Sequence, residues 1–214
     1  MQNNADVIVV GKGNAALCAA LEARNAGANV IMLEAASEEE SGGNSRFAGG
    51  MMRFTYNGIE DLRTLLEITD EEARNTDWDT NTVDEFYDDL YKVTNYRTDP
   101  RLSELLITRS LESMQWLRKQ GVHFVLNYRA ASAVVDGRRR FFGGMAVEVS
   151  GGGPGLVQFL DQAAIKAGVD VHYETRAVSL IYDGEKVTGI NAKRYGKMLQ
   201  YHAPAIVLAC GGFE

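Results

Sequence analysis

Val7-Ile8-Val9-Val10-Gly11-Lys12-Gly13-Asn14-Ala15-Ala16 begins a segment that runs on to Leu33-Glu34, and this stretch decides the fold. Residues Asp6 to Val10 form a short apolar, β-branched run that stops at Gly11, the signature of a strand. The alanine-rich stretch from Asn14 to Ala26 reads as a buried helix closed by Gly27. A second apolar run, Asn29 to Leu33, ends in Glu34, so the opening is a compact βαβ unit with two parallel strands.

The turn between the first strand and the helix, Gly11 to Ala16, is a GxGxxA variant. Its glycines Gly11 and Gly13 permit a tight turn and close approach of a pyrophosphate, and the backbone amides of Asn14, Ala15 and Ala16 at the helix N-terminus face the anion. Glu34 stands 21 residues after Gly13. A carboxylate at the end of the second strand accepts hydrogen bonds from both ribose hydroxyls of an adenosine and disfavours a 2′-phosphate. Strand, helix, second strand and terminal acid in register point to dinucleotide binding; the structural alternative is a glycine-tightened turn with a surface Glu34. NAD and FAD share this fingerprint, so the choice rests on the residues after Glu34. Gly42-Gly43-Asn44-Ser45 sets a flexible glycine pair beside an amide and a hydroxyl, able to thread past a pyrophosphate and offer backbone donors to an isoalloxazine ring. A bare solvent loop is the other way to read it.

Ser41 to Gly50 is too irregular for a helix and too glycine-rich for a strand, so it is expected as a loop at the sheet's edge. From Ile59 to Gln120 the pattern is helical, with Leu62, Leu65, Leu66, Val83, Phe86, Leu90, Leu102, Leu106, Met114 and Leu117 at turn spacings and a start signal at Asp99-Pro100. These helices read as an insertion, 59–120, between strands of one domain spanning 1–214. Gly151 to Gly155 opens another helix that stops at Gly168. Val169 to Tyr173, Ala177 to Tyr182 and Val187 to Arg194 alternate like strands, with Asp183-Gly184 as a hairpin turn, and Ala205 to Ala209 is a final apolar run.

The 214 residues, 45% hydrophobic with 22 glycines, suit one large α/β domain or a domain plus a lobe. A net charge of -7 argues against nucleic acid or anionic lipid as a partner, since both demand dense positive charge, but leaves a small anionic ligand open. The N-terminal apolar run of about six residues has no basic region before it, so neither a secretory signal nor a membrane span is expected, and a cytoplasmic location is the default. Cys18 and Cys210 form no CxxC and are read as buried small residues; His123, His172 and His202 show no paired carboxylate at useful spacing and receive no role. No metal site and no catalytic residue are assigned. Arg138-Arg139-Arg140 is read as a solvated turn in preference to a lure for polycarboxylates.

The segments 7–34, GGNSRFAGGMM at 42–52, SGGGPGL at 150–156 and IVLACGGFE at 206–214 occur in the order seen in the fumarate reductase and succinate dehydrogenase flavoprotein superfamily, which the chain resembles along its whole length. It is most similar to the tricarballylate dehydrogenase branch, with 3-ketosteroid dehydrogenases as more distant relatives. The resemblance implies a Rossmann-like α/β FAD-binding domain with a parallel central sheet, a helical insertion and a β-meander near the C-terminus. It implies that Gly11, Gly13, Ala15 and Ala16 hold the pyrophosphate, that Glu34 and Ala35 contact the adenosine, and that Gly43, Asn44, Ser45, Gly49 and Gly50 approach the flavin with Gly42 beside them. Val178 matches a position whose backbone meets the adenine, and Ala209-Cys210-Gly211-Gly212 a turn beside the cofactor; each also reads as plain core strand. The glycines at 151–155 resemble a motif near flavin and substrate, or a ligand-free helix start. Where some relatives carry a flavin-linked histidine this chain has Asn44, which implies non-covalent FAD. The implied reaction is oxidation or reduction at a CH–CH bond of a small carboxylate, with electrons exchanged with a separate acceptor. The capping domain, the family's proton-transferring arginine and the return segment lie beyond the Gly-Gly-Phe turn, so the stretch ending at Glu214 is expected to bind FAD without turning over substrate. An NAD-binding oxidoreductase and a non-catalytic nucleotide-binding module are the competing classes.

Overall fold

The structure is a computed structural model that describes residues 3–212. The chain divides into two compact units: Met1–Gly49 with Gly153–Glu214, and Gly50–Gly152. Its elements are β1 (Val7–Val10), α1 (Asn14–Asn25) and β2 (Val30–Leu33), then a 3-10 turn at Gly43–Phe47. Next come α2 (Ile59–Arg63), α3 (Asp70–Asn75), β3 (Thr76–Asp77), α4 (Val83–Val93), α5 (Pro100–Thr108), α6 (Ser110–Lys119), β4 (Phe124–Leu126), β5 (Ser132–Val135), β6 (Arg138–Phe141) and β7 (Val147–Val149). The last are α7 (Gly152–Lys166), β8 (Asp170–His172), β9 (Thr175–Tyr182), β10 (Val187–Arg194), β11 (Lys197–His202) and β12 (Ala205–Leu208).

The first unit is built on a parallel sheet in the order β12-β1-β2-β8. Strand side chains alternate between faces. Ile8, Val10, Ile31 and Leu33 point to one side and pack with Ile190, Ala192, Tyr201 and Ala203 of the meander, while Val9 and Met32, both with no exposed surface, belong to the opposite face. Helix α1, which touches β1, β2 and β12, buries Ala16, Leu17, Ala20 and Leu21. It ends at Gly27, whose φ of 87° is the left-handed closing conformation that glycine adopts without strain. Arg24 there donates to the carbonyls of Ala167 at 2.8 Å and Ala28 at 2.7 Å, tying the ends of α1 and α7 together.

The antiparallel meander β9-β10-β11 follows. The loop around Asp183-Gly184 is closed by Asp183, whose carboxylate accepts from the amides of Glu185 and Lys186, each at 2.9 Å. Strand β11, which the sequence pattern did not announce, enters through Tyr195-Gly196, both with positive φ (47° and 80°), the geometry of a two-residue hairpin turn. His172 does have a paired carboxylate, contrary to expectation: its Nε2 lies 3.1 Å from Asp170 and its Nδ1 2.9 Å from the Tyr201 hydroxyl. The i, i+2 spacing on a strand places Asp170 and His172 on one face.

The second unit contains the expected helices of 59–120, interrupted by β3 between α3 and α4, together with β4 to β7 on their C-terminal side. Thr69 and Thr82 close capping boxes with Glu72 and Glu85, and Asp99 caps α5 ahead of Pro100. Leu62, Leu65, Phe86, Met114 and Leu117 are core residues, but Leu102 and Leu106 are exposed; Ile107 is the apolar residue that α5 buries. The short nine-residue helix turns its inward face by one position from the one read off the leucines. Arg138, Arg139 and Arg140 lie on strand β6 and not on a turn. Arg138 and Arg140 pair with Asp77 at 2.7 and 3.4 Å, and the Arg138 hydrogen bond holds that carboxyl below its usual range. Arg139 sits 4.8 Å from the Tyr128 ring centroid.

Among the described residues no helix is long and apolar enough to cross a membrane. Because Leu17 is wholly buried in α1, Leu17→Ala is expected to destabilise the first unit by about 2–5 kcal/mol, read as a lower urea midpoint at unchanged m-value.

Candidate functional site

The parallel sheet creates the site by its order. Strand β1 lies between β2 and β12, so the chain departs from it on one side and returns on the other, leaving a crevice at the strands' carboxyl ends. An open cleft of about 900 Å³ occupies this position, near the upper end of the roughly 300–1,000 Å³ typical of ligand pockets.

Gly11 makes the exit from β1. Its amide donates to the Leu33 carbonyl at 2.8 Å, while the Ala209 amide donates to Val10 at 2.9 Å, so the strand ladder runs up to the turn on both sides. At φ +102° a Cβ on Gly11 would lie 2.4 Å from the Ala209 oxygen, a position no side chain can take. Gly13 is the N-cap of α1 and has no side chain to cap the helix. The Ser45 hydroxyl does so from another segment, accepting from the Asn14 amide at 2.9 Å. The next amides, those of Ala15 and Ala16, belong to the first turn and have no intrahelical acceptor, so with the helix dipole they form a positive end for an anion.

At the end of β2 Glu34 is nearly buried. Its carboxylate accepts from the Ala36 amide at 2.7 Å, its own amide donates to His172 at 3.0 Å and its carbonyl accepts from Thr175 at 2.7 Å. Backbone and side-chain bonds together thus hold the acid at the cleft wall. The loop from Gly42 is held against α7. Gly42 has φ +113°, and a Cβ there would meet Val157 at 2.9 Å; a Cβ on Gly153 would lie 2.3 Å from the Ser45 oxygen, and the Gly153 amide donates to Ala48 at 2.8 Å. Gly153 therefore serves close packing of the start of α7 on the Gly43–Phe47 turn. Within the loop expected at 41–50, the structure differs at Gly43–Phe47, which forms one 3-10 turn.

Of the residues singled out in the sequence, Gly11, Gly13, Asn14, Ala15, Glu34, Ala35, Gly43, Asn44, Ser45, Val178, Ala209, Gly211 and Gly212 line the cleft. Ala16 is buried beneath the turn. Gly42 supports the loop from behind. Gly49 is exposed outside the lining, and Gly50 belongs to the other unit, where a Cβ would meet Gly152 at 2.6 Å. Sequence reasoning missed Lys12, Thr175 and Ile190, which also line it. It also misread Cys210, which is exposed in the cleft wall, whereas Cys18 is half-buried and its thiol is pushed up to about 11, by burial first and then Glu22. Glycine cradle, amide-rich helix start, capping hydroxyl and terminal acid suit the two phosphates and ribose of a dinucleotide.

Fold and site together define a dinucleotide-binding α/β domain. More narrowly, the chain belongs to the FAD binding domain family, whose model matches residues 6–214, and its homologues include fumarate reductases. It is 32% identical over 217 residues to a probable fumarate reductase of Shewanella frigidimarina, covering 97% of this chain and 32% of the relative. A solved flavocytochrome c3 fumarate reductase, in an open conformation, superposes with a TM-score of 0.71 at 28% identity over 96% of this chain and 33% of that one. A 3-ketosteroid-Δ4-(5α)-dehydrogenase of Rhodococcus jostii shares the fold, with a TM-score of 0.71 at 24% identity over 96% and 45% of the two chains. The chain thus spans about a third of the length of the curated relatives it matches.

This geometry carries two expected outcomes. Gly11→Ala forces a left-handed backbone costing about 1–2 kcal/mol and a backbone overlap besides, so the variant is expected to lose flavin on gel filtration. At pH 8 iodoacetamide is expected to alkylate Cys210 and spare Cys18, roughly one in a thousand of whose thiols is ionised there; added FAD is expected to protect Cys210, followed by mass spectrometry.

Proposed function

We propose that the full protein is an FAD-dependent oxidoreductase acting at a CH–CH bond of a small carboxylate, in the manner of a fumarate reductase or a tricarballylate dehydrogenase. The observation that carries this is a cleft lined by the Gly11–Ala16 turn, by Glu34 and by Gly43-Asn44-Ser45, with the Ser45 hydroxyl capping α1 at the turn, in a chain homologous to fumarate reductases. Bound FAD would supply the two-electron acceptor or donor. This chain's residues bind and orient it: the Ala15 and Ala16 amides and the helix dipole take the pyrophosphate, Glu34 and Ala35 the adenosine ribose, Val178 the adenine edge, and Gly43, Asn44 and Ser45 the flavin side. Ala209, Gly211 and Gly212 close the wall beside it.

The flavin is held non-covalently in this proposal, because Asn44 stands where a histidyl linkage would form and an amide nitrogen cannot make it. Substrate and electron acceptor are a small carboxylate and a separate redox partner. The homology to fumarate reductases favours a dicarboxylate or tricarboxylate over a steroid, since the likeness to the steroid dehydrogenase, at 24% identity, is one of fold.

Purified full protein is expected to show flavin absorption bands, to release all its flavin on acid precipitation, and to change that spectrum on mixing with fumarate after reduction or with tricarballylate before it. Colourless protein that refuses FAD and is stabilised by NAD would overturn the proposal; a yellow protein bleached only by a ketosteroid would overturn its substrate class. Replacing Glu34 by Gln removes a charged acceptor worth about 1.5–3 kcal/mol. The expected result is a roughly ten- to hundred-fold rise in FAD Kd, read by flavin fluorescence titration.

A further inference from the structure

The residue between the two cradle glycines is a lysine whose side chain is 2% exposed. Its ammonium lies 2.7 Å from Asp161 Oδ1 on α7 and 3.4 Å from the Ser41 hydroxyl, with the Tyr173 ring centroid at 5.4 Å. Burial, then the carboxylates of Asp161, Glu38 and Glu34, push the Tyr173 phenol up, so Tyr173 brings no charge to the cluster at neutral pH. Asp161 is four and eight residues beyond Val157 and Gly153, which places all three on one face of α7. That face carries the contacts of α7 with the cradle and the loop beside it: Gly153 against Ser45 and Ala48, Val157 against Gly42, and Asp161 against Lys12.

A buried ion pair is a poor source of net stability, because desolvation offsets most of the attraction, and an apolar pair of similar size serves packing as well. It does fix position, since either charge left alone is strongly disfavoured. The Asp161 carboxylate also consumes the Lys12 charge and would itself repel a pyrophosphate if uncovered.

We propose that the Lys12–Asp161 pair is a positioning lock: it pins the cradle between Gly11 and Gly13 to α7 and to the Ser41–Ser45 segment, and thereby sets FAD affinity, without Lys12 serving as a phosphate ligand. Lys12 and Asp161 are positioning residues in this scheme, which rests on FAD occupying the cleft.

The test titrates FAD into apo full protein, for wild type, Lys12→Met, Asp161→Asn and the double variant, at a temperature where circular dichroism shows each folded. Wild type that binds no FAD overturns the occupancy of the cleft, not the lock alone. With wild type binding, the lock predicts a Kd raised roughly tenfold or more in each single variant and a double variant closer to wild type than either. The Asp161→Asn result is decisive. It leaves a free cation beside the pyrophosphate, so if Lys12 worked by charge on the phosphates this variant would bind FAD as tightly as wild type or tighter, and the lock would be wrong. Unchanged Kd with a lowered melting temperature in all three variants would make the pair a packing element only and also overturn the proposal. Should Lys12→Met not fold, Asp161→Asn and the double variant decide between lock and phosphate ligand by the same comparison.

Discussion

The approach of the Gly11 backbone to the Ala209 carbonyl is the constraint on which the first unit depends. It requires a residue without a Cβ at φ +102°, where the added atom would lie 2.4 Å from that oxygen. Given that contact, β1 can pair with β12 and β2 along its whole length and still turn abruptly into α1. The abrupt turn is what aims the first amides of α1 into the crevice between diverging connections. A wider turn would move the helix dipole away from the ligand and open the sheet at its centre.

The remaining parts of the site hang on that turn through polar contacts between distant segments. Ser45 caps α1 across 31 positions of sequence, and Lys12 reaches α7 through Asp161. Glu34 is fixed by β8 and the start of β9, so the acid depends on an edge strand whose own place is secured by the His172–Tyr201 contact to the meander. The glycine loops and the acid are therefore held by different neighbours: α7 behind the loops, and β8, β9 and β11 behind the acid. Each neighbour approaches closely enough that glycine or a buried polar pair is needed at the contact.

Much of this was legible in the residues because period and punctuation act locally. The βαβ opening, Gly27 as helix stop, Asp99-Pro100 as helix start and Asp183 as a turn residue each follow from backbone preferences that a few neighbours suffice to express. Where local signals compete with packing they misled. Leu102 and Leu106 satisfy a helical stripe yet face water, since Ile107 is what the neighbouring elements bury. Arg138 to Arg140 read as a solvated turn and form a strand, because Asp77 and Tyr128, earlier in the chain, supply partners that no local count reveals.

The sequence alone determined the class of ligand: a strand ending in GxGxxA, a helix, and an acid closing the second strand carry the turn geometry, the positive helix end and a carboxylate in the order and spacing of a dinucleotide site. The tertiary structure alone decided which groups share the cleft. It turned Lys12 inward to a carboxylate on α7, left Cys210 in the wall, buried Ala16 beneath the turn and put Gly50 in the other unit. The physical reason is that backbone conformation follows from adjacent residues, whereas burial, pairing and access are set by whichever distant segment packs against them.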